Sequence, residues 1–324
     1  MTTELRPVHD SLMIDAFRAM LSIRLFEEKV RDLRQAGSIV GSVHLCIGQE
    51  AVPVGARAAL EARDAVFATY RGHGWALACG APLEATFAEL LGRETGLNKG
   101  RGGSAYFSAP DFGFYGENSI VGAGAPIAVG AALAARYDGS GRVALVDFGD
   151  GALNQGAVHE AMNFASAFDL PVIFMCENNV YSELTPIRDV VKNERLFERA
   201  AAYGMPGERV DGNDPAAVRL VTAKAVSRAR TGQGPSLIEA MTQRLVGHYI
   251  GDAEQYRPRG EVEAARATEP LVRAREHLVS HGTSAAELSR IEQDVSDAVN
   301  SAAACALAAP HADVSVVREH LYAR

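Results

Sequence analysis

The chain has 324 residues, of which 48% are hydrophobic and 22% are charged. This is the composition of a folded globular protein, and it excludes disordered, collagen-like and coiled-coil chains. With 32 Lys and Arg against 40 Asp and Glu, the formal net charge is −8. The chain offers no broad basic surface, so we expect no nucleic-acid partner.

Cysteine usage and the N-terminus indicate where the protein works. The four cysteines are scattered, with no Cys-x-x-Cys pair, which indicates neither a zinc site nor a disulfide framework. The first residues have neither the basic start nor the apolar run of a signal peptide. We therefore expect a cytoplasmic protein.

The N-terminal part of the chain has helical patterns. Apolar side chains recur at helical spacing through residues 10–36, and Gly37 supplies a stop signal. Residues 51–60 and 83–91 repeat this pattern. We predict a long amphipathic N-terminal helix followed by two shorter helices.

One uncharged segment approaches the length of a membrane span. Residues 118–135 contain no formally charged side chain, and about 18 apolar residues are the lower limit for a transmembrane helix. The segment is mostly Ala and contains Gly122, Gly124, Pro126 and Gly130. This composition favours a helix packed closely inside protein, and we expect no membrane association.

Strand and helix patterns alternate in the middle of the chain. Residues 142–148 and 171–176 are short apolar runs, and residues 156–168 between them have a helical pattern. A further helix and strand are predicted over residues 215–230 and 235–241. Consecutive βαβ units predict an α/β fold with a mostly parallel sheet, which binds ligands at the carboxyl ends of its strands.

No internal repeat and no long linker divides the chain, so we predict one domain over residues 1–324. Its core spans about residues 40–245. Residues 248–260 are polar and rich in Gly, Pro and charge, which indicates a functional loop. Helical patterns return over residues 264–310, which we expect to form C-terminal helices.

Polar residues follow two successive predicted strands. Gly149-Asp150-Gly151 comes after the first strand and Asn178-Asn179 after the second. In a βαβ unit these strand ends are neighbours, and a carboxylate with an amide carbonyl supplies the oxygen ligands that Mg²⁺ prefers. Glycines let a diphosphate approach the backbone. The pair predicts an anchor for a metal-bound diphosphate, although each piece alone is also compatible with a simple turn.

Other phosphate-binding and nucleophile motifs are incomplete in this sequence. Residues 122–127 lack the third glycine of a dinucleotide fingerprint, and residues 100–104 lack the lysine of a P-loop. The chain contains no Gly-x-Ser-x-Gly nucleophile elbow.

Residues 148–156 and 176–181 resemble the thiamine diphosphate motif of one family. This motif is carried by α subunits of the decarboxylating component of 2-oxo acid (pyruvate or branched-chain) and acetoin dehydrogenase complexes. Further stretches match that family in order and rough spacing, and they are residues 43–50, 70–73, 100–104, 119–124, 210–214 and 247–248. The resemblance spans about residues 10–310 and implies the thiamine diphosphate-binding fold, a mostly parallel sheet with helices on both faces.

The resemblance implies a set of cofactor ligands. Asp150, the side chain of Asn179 and the backbone carbonyl of Tyr181 would bind Mg²⁺. Gly151 and Ala152 would offer backbone amides to the diphosphate. The remaining matched positions are Tyr70, Arg71 and His248 at the diphosphate, and Ser119 and Val121 at the aminopyrimidine. A forked guanidinium such as that of Arg71 suits a diphosphate.

Two histidines are the candidate catalytic residues. His44 matches a histidine near the thiazolium ring, and His248 opens the polar loop and would close over the cofactor. Without the resemblance, His44 would be taken as a hydrogen-bonded histidine in an apolar stretch. His73 fits a structural turn as readily as a catalytic role.

The chemistry also implies partners. Activation of thiamine diphosphate requires a carboxylic acid side chain that is hydrogen-bonded to a ring nitrogen of the aminopyrimidine. In this family that side chain belongs to a β subunit, so the resemblance implies an α₂β₂ heterotetramer. The acyl unit would pass from a 2-oxo acid or acetoin to a lipoyl-bearing acyltransferase. Alternatives are transfer of a C2 unit to a carrier protein, or a catalytically silent scaffold subunit. The sequence departs from the family pattern at positions that could affect the acyl pocket or the acyl acceptor, and in the loop. These positions are Ala105-Tyr106, Val246 and Tyr249.

Overall fold

The computed structural model describes residues 8–315, with side chains from residue 11 onward. Its centre is a sheet of six parallel strands in the order β2-β1-β3-β4-β8-β7. These strands are β1 (Ala65–Thr69), β2 (Phe114–Asn118), β3 (Ala144–Gly149), β4 (Val172–Asn178), β7 (Gly207–Asp211) and β8 (Ser236–Met241). A separate antiparallel hairpin of β5 (Tyr181–Ser182) and β6 (Thr185–Pro186) follows β4.

Helices precede, connect and follow the strands. They are α1 (Val8–Gln35), α2 (Ala51–Arg57), α3 (His73–Cys79), α4 (Leu83–Leu90), α5 (Gly124–Asp138), α6 (Gly156–Ala167), α7 (Ile187–Val190), α8 (Pro215–Arg230), α9 (Glu261–Arg266), α10 (Pro270–Ser280) and α11 (Ala285–Ala308). Short 3₁₀ segments are Pro110–Phe112, Asp150–Asn154 and Leu196–Tyr203. None of the helices in residues 8–315 is long and apolar enough to cross a membrane.

The sheet separates two hydrophobic cores. Alternate side chains of a strand face opposite sides, so Leu145 joins one core while Val146 and Phe148 join the other. The larger core includes side chains of α1, α2, α8 and the C-terminal helices, and the smaller core includes those of α5 and α6. Helices therefore cover both faces, as expected for a parallel sheet.

The predicted fold class is confirmed. The strands predicted over 142–148, 171–176 and 235–241 are β3, β4 and β8, and β3 lies beside β4. Helix α8 has the predicted bounds, whereas only residues 124–135 of the uncharged segment are helical, as part of α5. Residues 248–260 contain no helix or strand, as predicted.

Three strands of the six-stranded sheet were not predicted, for identifiable reasons. β1 is only five residues long, and β2 contains Gly, Glu and Asn. β7 has the sequence Gly-Glu-Arg-Val-Asp and lies at the edge of the sheet with mostly exposed or half-buried residues. Edge strands carry charge because charge discourages pairing with another chain, and this hides the apolar alternation.

Candidate functional site

All eleven residues singled out from the sequence line one cleft at the carboxyl edge of the sheet. The cleft has a volume of about 500 Å³. The residues are His44, Tyr70, Arg71, Ser119, Val121, Asp150, Gly151, Ala152, Asn179, Tyr181 and His248. Segments more than 200 positions apart in the sequence thus meet at one place, because the ends of parallel strands and their loops converge there.

Asp150 is a buried carboxylate with an unused acceptor. It is only 1% exposed, and burial raises its pKa to about 6. Its Oδ2 atom has no hydrogen-bond partner among the described residues. The backbone of the next residue, Gly151, lies close to Ser182, and a Cβ atom at position 151 would be 2.3 Å from Oγ of Ser182. An orphaned anionic oxygen in a cleft favours a cation at that position.

The turn after β4 is strained. Val180 has φ of +63°, a left-handed conformation that is rare for a β-branched residue. The turn is held by a hydrogen bond from the Val180 amide to Oδ1 of Asn178 (3.0 Å), while Oδ1 of Asn179 accepts from the amide of Tyr181 (3.3 Å). Such strain concentrates at functional sites. Here it brings the side chain of Asn179 and the backbone of Tyr181 together beside the cleft.

Two guanidinium groups supply positive charge. Arg71 donates to the backbone carbonyls of Leu45 and His248. Arg244 is 2% exposed, and its Nε and Nη1 atoms have no hydrogen-bond partner within the described residues. Burial and the nearby charge of Arg71 lower the pKa of Arg244 to about 10. Unpaired buried donors of this kind favour an anionic ligand.

Arg244 was not identified from the sequence. It follows β8 by three residues, and the signal available was its place after the carboxyl end of a predicted strand. That signal is weak for a single arginine, because most arginines at strand ends face solvent.

Three aromatic rings, those of His44, Tyr70 and His248, cluster in the cleft where the loop of residues 248–260 begins. The ring centroid of His44 lies 4.4 Å from that of Tyr70 and 4.9 Å from that of His248. Burial, followed by the positive charge of Arg71, lowers the pKa of His44 to about 3 and that of His248 to about 4. Both imidazoles are therefore neutral at pH 7, and Nδ1 of His44 has no partner among the described residues.

The cleft also contains a pair of buried acids that no sequence motif indicated. Asp147 and Glu177 also line the cleft and are 4% and 6% exposed. Glu177 accepts hydrogen bonds from Trp75 Nε1 (2.9 Å) and Gln49 Nε2. Burial raises the pKa of Glu177 to about 7 and that of Asp147 well above its usual range. Because Glu177 already accepts two donors, we place the proton of the pair on Asp147.

His73 has a structural role. It is fully buried, its Nδ1 atom lies 2.9 Å from Oε2 of Glu27, and its Nε2 atom lies 3.0 Å from Oγ of Ser104. Burial alone would lower the pKa of His73, but the charge and hydrogen bond of Glu27 outweigh it and raise the value to about 9. His73 does not line the cleft.

These features define a class of protein: an α/β protein with a cleft at the carboxyl edge of its parallel sheet, lined by buried charged groups that lack partners in residues 8–315. No cluster of three or more His, Cys, Asp or Glu side chains suited to a metal occurs in residues 8–315. A site made of one carboxylate, one amide and one backbone carbonyl does not require such a cluster.

The chain belongs to the dehydrogenase E1 component family, which it matches over residues 18–315. It is 43% identical over 307 residues to the α subunit of acetoin:2,6-dichlorophenolindophenol oxidoreductase from Bacillus subtilis, covering 94% of this chain and 92% of that protein. It is 42% identical over 304 residues to the pyruvate dehydrogenase E1 component subunit α of Rhizobium meliloti, covering 93% and 87%. The corresponding protein of Zymomonas mobilis is 41% identical over 300 residues, covering 92% and 85%.

The family resemblance inferred from the sequence is thereby confirmed. The chain is an α-type subunit of an oxidoreductase E1 component. Membership implies the use of thiamine diphosphate and association with a β-type subunit.

The low pKa of His44 predicts a pH-dependent stability. Because its folded pKa of about 3 lies below the ordinary 6.5, the unfolded chain binds more protons between these values, and the free energy of unfolding falls as pH falls. From pH 7 to pH 5, His44→Gln should lose less stability than the parent, by on the order of 1 to 2 kcal/mol. Urea unfolding at each pH measures the free energy of unfolding of both proteins. At pH 8 the imidazole is neutral in the folded and unfolded chains, so the difference between variant and parent there reports the change in packing alone. If the free energies of unfolding of the variant and the parent change equally with pH, the prediction is wrong.

Proposed function

We propose that this chain carries the diphosphate half of a thiamine diphosphate and Mg²⁺ site. With a β-type subunit, it cleaves a small 2-oxo acid or acetoin and passes the acyl unit to a lipoyl group. The observation that supports this most directly is the pairing of unused buried charge in one cleft: the orphaned Oδ2 of Asp150 and the orphaned donors of Arg244. A metal-bound diphosphate satisfies both at once.

The metal would be held at the ends of β3 and β4. Asp150 supplies a carboxylate oxygen, Asn179 its side-chain carbonyl, and Tyr181 its backbone carbonyl. Mg²⁺ demands oxygen ligands and shares its shell with phosphates. The three residues line the same cleft, and the strained turn at Val180 supports their proximity.

The diphosphate would lie between the metal and the cations. The backbone amides of Gly151 and Ala152, at the start of the 3₁₀ segment that follows β3, would donate to it. Tyr70, Arg71 and His248, which line the same cleft, would also contact it. Arg244 adds a second guanidinium to this set, since its Nε and Nη1 atoms lack partners among the described residues.

The aminopyrimidine would contact Ser119 and Val121. Val121 is 40% exposed and the neighbouring Ile120 is 69% exposed, so this side of the cleft supplies apolar contact without closing it. When bound, thiamine diphosphate supplies the nucleophilic carbon that attacks the substrate carbonyl. We assign the acid that activates the aminopyrimidine to the β-type subunit, in an α₂β₂ assembly.

His44 and His248 would act on the substrate. A neutral imidazole donates a hydrogen bond to a developing oxyanion through one nitrogen and accepts a proton at the other. The orphaned Nδ1 of His44 is available for one of these tasks. His248 begins the loop, and its backbone carbonyl is held by Arg71 at 2.9 Å, so it is tied to the diphosphate-binding guanidinium. His44 is therefore the candidate that acts nearest the reacting carbon.

The first prediction from this proposal concerns the metal. Asp150→Ala should abolish Mg²⁺-dependent binding of thiamine diphosphate, with a loss beyond the roughly 100-fold cost of removing an outer-shell partner. Glu160→Ala is the control for loss of a carboxylate, because Glu160 is exposed on α6 and does not line the cleft. Calorimetric titration of the assembled protein measures both. Equal affinities in the Asp150→Ala variant and the parent would rule out this site.

The second prediction separates anchors from catalysts. His44→Ala should leave cofactor affinity nearly unchanged and lower turnover roughly 10²- to 10⁴-fold, as for a lost acid–base group. Arg71→Ala should weaken cofactor binding first, because its target is the diphosphate. Steady-state kinetics at several cofactor concentrations distinguish the two effects. A His44→Ala variant that loses cofactor but keeps its turnover at saturation would reverse the assignments.

The third prediction concerns assembly and substrate. The isolated chain should show no turnover, and addition of a β-type subunit should restore dye reduction with pyruvate or with acetoin. The relatives carry both substrates in their names, so the ratio of kcat/KM values for the two decides between them. Turnover by the isolated chain would refute the shared site.

A further inference from the structure

A row of buried polar side chains leads from the centre of the protein to Asn179. Trp75 and Gln49 are each 1% exposed, Glu177 is 6% exposed and Asn179 is 8% exposed. Trp75 Nε1 donates to Oε1 of Glu177 at 2.9 Å, and Gln49 Nε2 donates to its Oε2. Asn179 Nδ2 in turn donates to Oε1 of Gln49 at 3.4 Å.

The observed contacts give each hydrogen bond a direction. The Trp75 indole can only donate, and Glu177 accepts from both Trp75 and Gln49, so Gln49 turns its amide nitrogen toward Glu177 and its oxygen toward Asn179. The NH₂ of Asn179 then faces Gln49, and its Oδ1 faces the backbone of Tyr181, whose amide it meets at 3.3 Å. Rotating the Asn179 amide by half a turn would set donor against donor and oxygen against oxygen.

The backbone that carries Gln49 is locked. Gly48 has φ of +97°, and a Cβ atom there would lie 2.4 Å from the carbonyl oxygen of Gln243. The Gly48 amide donates to the buried carboxylate of Glu50 at 3.1 Å, and the amide of Leu245 donates to the carbonyl of Ile47 at 3.0 Å. The backbone position from which the Gln49 side chain extends is therefore fixed.

We propose that Trp75, Glu177 and Gln49 form a relay that presents Oδ1 of Asn179 to the metal, with Gln49 as the positioning residue. This inference rests on the proposed function, which assigns Asn179 to Mg²⁺. Outer-shell partners of metal ligands typically contribute 10- to 100-fold to metal affinity. Loss of the relay should weaken Mg²⁺ binding by that factor without removing a ligand.

An exchange of the two central side chains tests the relay. Gln49→Met removes both hydrogen bonds with little change in volume, and Gln49→Glu places a second carboxylate against Glu177. In the double variant Gln49→Glu with Glu177→Gln, the amide at position 177 donates to the carboxylate at position 49, which still accepts from Asn179. The matched control is Gln233→Met, because Gln233 is exposed and remote from the cleft.

Two readouts are measured on the assembled protein. Calorimetric titration with Mg²⁺ at saturating thiamine diphosphate gives the metal affinity. Trp75 is the chain's only tryptophan, so 5-fluorotryptophan incorporated into this chain alone gives one ¹⁹F resonance, which should shift on adding Mg²⁺. We expect both single Gln49 variants to lose 10- to 100-fold in Mg²⁺ affinity and the double variant to recover most of it.

The outcomes separate the relay from the function on which it rests. If Asn179→Ala loses Mg²⁺ while Gln49→Met binds it like the parent, the relay is wrong and the proposed metal site stands. If Asn179→Ala also binds Mg²⁺ like the parent, the proposed metal site itself is wrong. Failure of the double variant to recover affinity, with an unchanged thermal melt, also overturns the relay.

Discussion

The cleft depends on the buried carboxylate of Glu50. Arg24 of α1 donates to it at 2.6 Å, and the same guanidinium contacts Glu269 at the start of α10. The amide of Gly48 donates to the same carboxylate and lies 3.1 Å from both of its oxygens. One ion pair thus joins the N-terminal helix, the turn that carries Gln49, and the C-terminal helices. Removing one member of a buried pair typically costs 3 to 5 kcal/mol, because the remaining charge stays uncompensated.

The cleft contains several buried polar atoms that have no hydrogen-bond partner in residues 8–315. Buried polar atoms nearly always find hydrogen-bond partners, yet Asp147, Asp150, His44 and Arg244 each retain at least one atom without a partner among the described residues. These four residues line the same cleft. Leaving donors and acceptors unpaired away from water lowers stability. A ligand that carries both positive and negative groups restores the pairing, which couples cofactor binding to the stability of the cleft.

Local patterns predicted the parts of the site that lie next to strand ends. The anchor at Asp150 and Asn179 followed from two apolar runs and the helix between them, because parallel strands fix where their ends lie. Arg244 and Gln49 could not be found in this way. The role of Gln49, for example, depends on its contact with Glu177, which lies 128 positions away in the sequence. A single sequence carries no record of such contacts.

The fold shows the same division. Strands β3, β4 and β8 are buried and mostly apolar, so composition alone identified them. The edge strand β7 has a glycine, three charged residues and a single valine, and it is a strand because β8 supplies hydrogen-bond partners along its length. Pairing across the sheet decided its structure, and pairing is not a local property.

The exposed apolar residues near the cleft show why a second subunit matters. Ile120, Val121 and Ile127 are 69%, 40% and 50% exposed between the end of β2 and the first turns of α5. Burying such side chains stabilises an interface by roughly 25 cal/mol per Å² of apolar area. The side of the cleft that we assign to the aminopyrimidine is thus the side that this chain leaves open. In the function that we propose, a β-type subunit seated there would cover the apolar residues and bring its acid to the cofactor, so assembly would also complete the site.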